Sequence, residues 1–159
     1  MKKGANSGNG DVLVVDDDDV VRGMIVWLLD DAGYSVRQAS NGRDALVALR
    51  EQAPHCMVLD LMMPGIDGQA VLRERRQAML APETRVIILT AKDSRADEVF
   101  CWEHDADEYL TKPFDGEALI KLVGDLMHMT ADELAHRRET GLAEARRMDQ
   151  LDTTFRAKS

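Results

Sequence analysis

Little in this chain is aromatic: Trp, Tyr and Phe make up 4% of its 159 residues. That excludes a core of stacked rings and leaves Val, Leu, Ile, Met and Ala to do the packing. Cysteine is scarce too. Cys56 and Cys101 are far apart in apolar surroundings, without CxxC or Cys/His spacing, so a zinc centre and a disulfide framework are excluded and two reduced, buried thiols are expected. No run approaches about eighteen apolar residues, which excludes a membrane-spanning helix. The opening MKKGANSGNG has no apolar stretch behind its lysines that could serve as a secretory signal, so residues 1–10 read as a flexible leader and the protein as cytoplasmic. Basic charge is also short. The net charge is −9, and because six basic and six acidic residues fall from His128 onward, the whole excess lies before that point. An acidic body lacks the clustered Lys and Arg that bind nucleic-acid phosphates, whereas acids crowded at one place invite a cation.

What is present is a repeating pattern. DVLVV, CMVLD and RVIILT are short continuous apolar runs, typical of strands buried on both faces. YSVRQA alternates enough for an edge strand, and DEYLTKP supplies a brief fifth strand stopped by Pro113. Stretches of helical period lie between them. Val21, Met24, Ile25, Leu28, Leu29 and Ala32 share a face that ends at Gly33; NGRDALVALREQ opens at Ser40 or Asn41; a third helix is expected over Gln69 to Met79. SRADEVFCWEH, with Ser94 as cap, and DGEALIKLVGDLM complete five strand–helix units. Such alternation predicts an α/β fold with a parallel sheet and helices on both faces.

In an open parallel sheet the functional crevice lies beyond the carboxyl ends of the strands. Strand one ends in Asp16 and Asp17, strand three in Asp60, strand four in Thr90 and strand five in Lys112. Three carboxylates in one crevice raise each other's pKa unless a cation relieves the repulsion, and an all-oxygen donor set favours Mg²⁺. A calcium loop in DDDD is excluded, since that pattern needs an oxygen side chain at Val20 and glycine at Val21. Asp18 and Asp19 are accounted for by the helix dipole. A carboxylate nucleophile can take up a phosphoryl group, and a metal, a fixed cation and a hydroxyl donor offset the charge of the transferred group. Singly, Asp60 could be a cap, Thr90 a strand residue and Lys112 a surface charge. Their joint placement at strand ends points to chemistry.

The blocks VLVVDDDDVVR, VLDLMMPGIDG, VIILTAKD and DEYLTKPF, in this order, resemble the receiver domains of bacterial two-component response regulators, chemotaxis regulators among them. The likeness spans Asp11 to Met127. It implies a doubly wound, flavodoxin-like (βα)5 fold with strand order 2-1-3-4-5; residues 128–159, outside the likeness, read as a helical or partly disordered tail, a C-terminal helical extension of that fold. It also implies Asp60 as phosphoacceptor, with Mg²⁺ held by Asp17 directly, by Asp16 through water, by Asp60 and by the Met62 carbonyl. Thr90 and Tyr109 would be the switch pair and Lys112 the cationic partner, its side chain aimed by a cis bond before Pro113. Met62 and Lys92 would tune how long the phosphoryl group survives. The implied partners are a sensor histidine kinase or phosphotransfer protein and a downstream protein target. One position departs: Asp105 stands where the family has glycine in a left-handed turn, which Asp tolerates better than most residues.

Three functions compete. A signalling switch modifies only itself, catalysing its own phosphorylation and slow dephosphorylation. A haloacid-dehalogenase-type phosphohydrolase needs an acid/base Asp two residues after its nucleophile, where this chain has Met62. A receiver-like docking module would not need the acid, hydroxyl and lysine set. For the tail, TADE predicts a helix capped by Thr130 with Glu133. Leu142, Ala145, Met148, Leu151 and Phe155 form a weak apolar stripe interrupted by Gly141, leaving a solvated helix and a homodimer or docking helix equally open. About thirty residues cannot hold a complete effector domain, so a stand-alone regulator is expected, with a fragment of a larger DNA-binding or enzymatic regulator as the alternative.

Overall fold

A computed structural model describes residues 8–91 and 94–159. Most of the expected leader and Lys92 lie outside the described residues. Five strands, β1 (Asp11–Val15), β2 (Ser35–Ala39), β3 (Cys56–Leu59), β4 (Arg85–Thr90) and β5 (Glu108–Thr111), alternate with α1 (Asp19–Asp31), α2 (Gly42–Glu51), α3 (Gly68–Gln77), α4 (Arg95–Glu103) and α5 (Gly116–His128). A sixth helix, α6 (Ala131–Ala157), follows. The sheet is wholly parallel in the order β2-β1-β3-β4-β5, so the doubly wound α/β fold stands as expected. Among the described residues no helix is long and apolar enough to cross a membrane.

The period of two along each strand divides the core into two layers. Leu13, Val15, Met57, Leu59, Val86 and Ile88 face α2, α3 and α4, whereas Val12, Val14, Cys56, Val58, Ile87 and Leu89 face α1 and α5. All twelve are buried, which is why the central strands read as unbroken apolar runs. Cys56 and Cys101 are buried free thiols.

Short polar side chains set where the helices begin. Asp18, Asn41, Asp67, Ser94, Asp115 and Thr130 each accept a backbone N–H of the first turn. Thr130 and Glu133 form the reciprocal capping box that TADE predicts. Between the two candidates for α2, Asn41 is the cap. The third helix is shorter than expected and begins one residue earlier. Asp67 caps it, and the positive φ of Met79 and Ala81 lies beyond its end. Asp105 has φ 67°, the left-handed turn expected at that position.

The tail is helical from Ala131 to Ala157 and packs lengthwise against α4. It follows α5 after only two residues, Met129 and Thr130. Gly141 does not weaken the contact: a Cβ there would lie 2.6 Å from the Trp102 ring, so glycine is what admits the indole.

Ile88 is fully buried in the middle of β4. Ile88→Ala is expected to lower stability by about 2–5 kcal/mol through lost burial and the cavity left behind. A urea midpoint unchanged from the parent would show that the layers are not packed as described.

Candidate functional site

The parallel register carries β1 and β3 side by side to a common edge. Val15 pairs with Leu59, and the next residue of each strand is an aspartate. The Asp60 N–H donates to the Val15 carbonyl at 3.0 Å and the Asp16 N–H to the Ala39 carbonyl at 3.2 Å. The sheet hydrogen bonding therefore runs up to both acids. On the other side, the Lys112 N–H donates to the Thr90 carbonyl at 2.8 Å, which ties the residue after β5 to the last residue of β4. The Lys112–Pro113 peptide is cis.

Lys112 Nζ donates to Asp16 Oδ2 at 2.7 Å and to Asp60 Oδ2 at 3.1 Å. The other oxygens are held by the backbone: Asp16 Oδ1 accepts the Asp18 N–H at 2.9 Å, and Asp60 Oδ1 accepts the Met62 N–H at 3.1 Å. Asp16 and Asp60 are buried at 2% and 5% exposure, while Asp17 is exposed. One ligand oxygen from each of Asp16, Asp17 and Asp60 lies within 4.8 Å of the others. Thr90 is fully buried at the end of β4. Tyr109, half-buried in β5, packs against the core layer of α2, α3 and α4.

Burial pushes the Asp16 carboxyl above the usual range, the Lys112 hydrogen bond and the Asp18 N–H pull it back, and the Asp60 charge raises it further; the net shift is upward. Asp16 thus binds its proton more tightly folded than unfolded. Its contribution to stability is fullest at low pH and declines as pH rises through the raised pKa. Burial alone would lower the Lys112 pKa, but hydrogen bonds and attraction from Asp16 and Asp60 outweigh it and raise the value. Its contribution is complete below the ordinary lysine value and lost only as pH rises through the raised one.

Donor chemistry and charge decide whether these residues suit a metal. Asp16, Asp17 and Asp60 are hard oxygen donors, and with Lys112 as the single cation among the four they leave two negative charges, a match for a divalent ion. Mg²⁺ fits such a set better than a soft metal.

All the residues singled out at the strand ends arrive at this edge. Other contributors are not evident from strand ends alone. Arg22 Nη1 donates to the Asp16 carbonyl at 2.8 Å and so holds the turn into α1. Gly68 opens α3 pressed against the site: a Cβ there would lie 2.3 Å from the Asp60 carbonyl oxygen, and its N–H donates to the Leu61 carbonyl at 3.1 Å. The last glycine of VLDLMMPGIDG marks this fold-back, in which the loop after Asp60 returns under its own start.

A doubly wound sheet with acids and a lysine gathered at its carboxyl edge defines the CheY-like receiver class. Residues 12–124 match the family model described as the response regulator receiver domain, and the chain belongs to that family, the signalling switches of two-component systems. It is similar to the receiver domain of the Francisella response regulator 1452, with 34% identity over 75% of this chain and 97% of that one and a TM-score of 0.70. A CheY-like receiver domain protein from Methanospirillum hungatei JF-1 is 35% identical over 74% of this chain and 93% of its own, with a TM-score of 0.67. The response regulator TrrA from Thermotoga maritima, solved in complex with Mg²⁺ and BeF, is 33% identical over 73% and 97%, with a TM-score of 0.65.

Replacing Lys112 strips the acids of their cation. Lys112→Ala is expected to cost about 1–3 kcal/mol in metal-free buffer, and millimolar Mg²⁺ should recover part of the loss. Urea unfolding with and without Mg²⁺ measures both; a loss that Mg²⁺ leaves unchanged would separate the cation from the acids.

Proposed function

We propose that Asp60 accepts a phosphoryl group from the phosphohistidine of a sensor kinase or phosphotransfer protein, and that this chain is a cytoplasmic switch rather than a turnover enzyme. The observation that carries this is the shared lysine: Lys112 reaches both buried acids while a third acid, Asp17, lies within metal-binding distance of them.

An Asp60 carboxylate oxygen attacks phosphorus, the phosphorus–nitrogen bond of the donor breaks, and its electron pair returns to the imidazole. The product is an acyl phosphate on Asp60. Asp16, Asp17, Asp60 and the Met62 carbonyl would hold Mg²⁺, which would supply charge neutralisation at the transferred oxygens. Lys112 offsets the remaining charge, and the Thr90 hydroxyl hydrogen-bonds a phosphoryl oxygen. Tyr109, half-buried on the neighbouring strand, follows Thr90, which carries the change toward α4 and β5. Hydrolysis by water returns the carboxylate, so the chain catalyses its own phosphorylation and slow dephosphorylation. Met62, 55% exposed beside Asp60, bears on how readily water arrives.

The donor has a surface to meet. Val20, Met24 and Trp27 stand exposed at i, i+4 and i+7 on α1, next to the Asp16 turn. An apolar stripe of this kind fits the helix that presents a donor histidine.

Incubation with acetyl phosphate and Mg²⁺ is expected to add the mass of one phosphoryl group, and Asp60→Asn to abolish it. Intact mass spectrometry gives the answer; equal uptake by the Asn variant would move the acceptor elsewhere.

A further inference from the structure

The seam that α6 presents to the body follows an alternating four–three spacing: Leu134, Arg138, Gly141, Ala145, Met148, Asp152 and Phe155. Leu134 is buried with the α1/α5 layer, while Gly141 meets Trp102 of α4. The helix thus passes the start of β5, the last strand of the sheet, at Asp107 and Glu108 and continues along α4 in the opposite direction. Ion pairs mark the route. Arg138 Nε donates to Asp107 Oδ1 at 2.6 Å and Arg137 to Glu108. Arg146 Nη2 reaches Glu103 Oε1 at 2.9 Å, and Arg95 Nε lies 3.4 Å from Asp152 Oδ2. Phe155, 71% exposed, carries the seam past the start of α4.

The two halves of this contact differ. Near β5 it is anchored by the fully buried Asp107 carboxylate and by Leu134. From Gly141 onward it rests on a glycine, an alanine, Met148 and two exposed ion pairs, and such pairs contribute little in water. The elements beneath lead straight from the site: α4 is the helix after Thr90, and β5 is the strand before Lys112. A phosphoryl group on Asp60 adds charge beside Lys112, and a repositioning there reaches α6 through β5 and α4.

We propose that α6 is an autoinhibitory cover, which occupies the α4–β5 edge while Asp60 is a bare carboxylate and leaves α4 from Gly141 onward when Asp60 is phosphorylated. This rests on Asp60 as phosphoacceptor. A partner that reads α4 and β5 then binds only the phosphorylated form. The seam released with it, Met148 through Phe155, returns once the group is hydrolysed.

Trp102 reports the contact, because it is buried at 7% exposure against Gly141. The chain has two tryptophans, so full-length Trp27→Phe leaves Trp102 as the sole indole. Acetyl phosphate with Mg²⁺ is expected to raise acrylamide quenching of Trp102 severalfold in this variant, in parallel with phosphoryl mass on the same sample. Adding Gly141→Leu should give the high quenching without a donor while preserving phosphoryl uptake. Full uptake with unchanged quenching overturns the cover alone. Quenching unaltered by Gly141→Leu also overturns it, and no uptake at all overturns Asp60 as acceptor together with the cover.

Discussion

One ammonium group sits between two buried carboxylates that would otherwise repel each other. Lys112 reaches Asp16 and Asp60 from the far side of the sheet, and their combined pull outweighs its own burial penalty. Even so, Asp16 stays above the usual carboxylate range, and the exposed Asp17 adds a further negative charge within reach. The crevice holds more anionic charge than its lysine balances, and this excess makes it receptive to a divalent ion. Stability is set against function here: apolar side chains at these positions would pack more favourably and bind nothing.

The fold makes that concentration of charge possible. Parallel pairing aligns the ends of β1 and β3, so the first and third strand–helix units deliver Asp16 and Asp60 to one edge. The backbone then fixes each carboxylate through an N–H two residues on, from Asp18 and Met62. Behind Asp60 the chain turns back on itself, and Gly68 lies so close to the Asp60 carbonyl that no side chain fits there. The acid is therefore held by packing as well as by charge. On the opposite side, β5 and α4 lead from the same site outward to α6, so the edge that gathers the acids and the elements that α6 packs against share one framework.

Much of this was legible in the residues. Unbroken apolar strands, polar caps and acids at strand ends all follow from local rules, and DVLVV, CMVLD and RVIILT lie in β1, β3 and β4, with Asp60 just past the end of CMVL. The end of α3 was harder to place, because it depends on positive φ at Met79 and Ala81, neither of which is glycine. The docking of α6 was not legible. Its seam carries Arg138, Gly141 and Asp152 where an apolar stripe would be sought, and each makes sense only against Asp107, Trp102 and Arg95 of the body. Gly141, which breaks the pattern in the sequence, is what admits the Trp102 ring in the fold.

We propose that Asp16, Asp17 and Asp60 form one cation site despite their separation along the chain. Titrating the isotope-labelled protein with Mg²⁺ and following its backbone amide resonances tests it directly. The amides of Asp16, Asp17, Asp60 and Met62 should shift together along a single saturating curve. Shifts confined to acids elsewhere, such as Glu144 or Asp149 on α6, with those four unmoved, would contradict it.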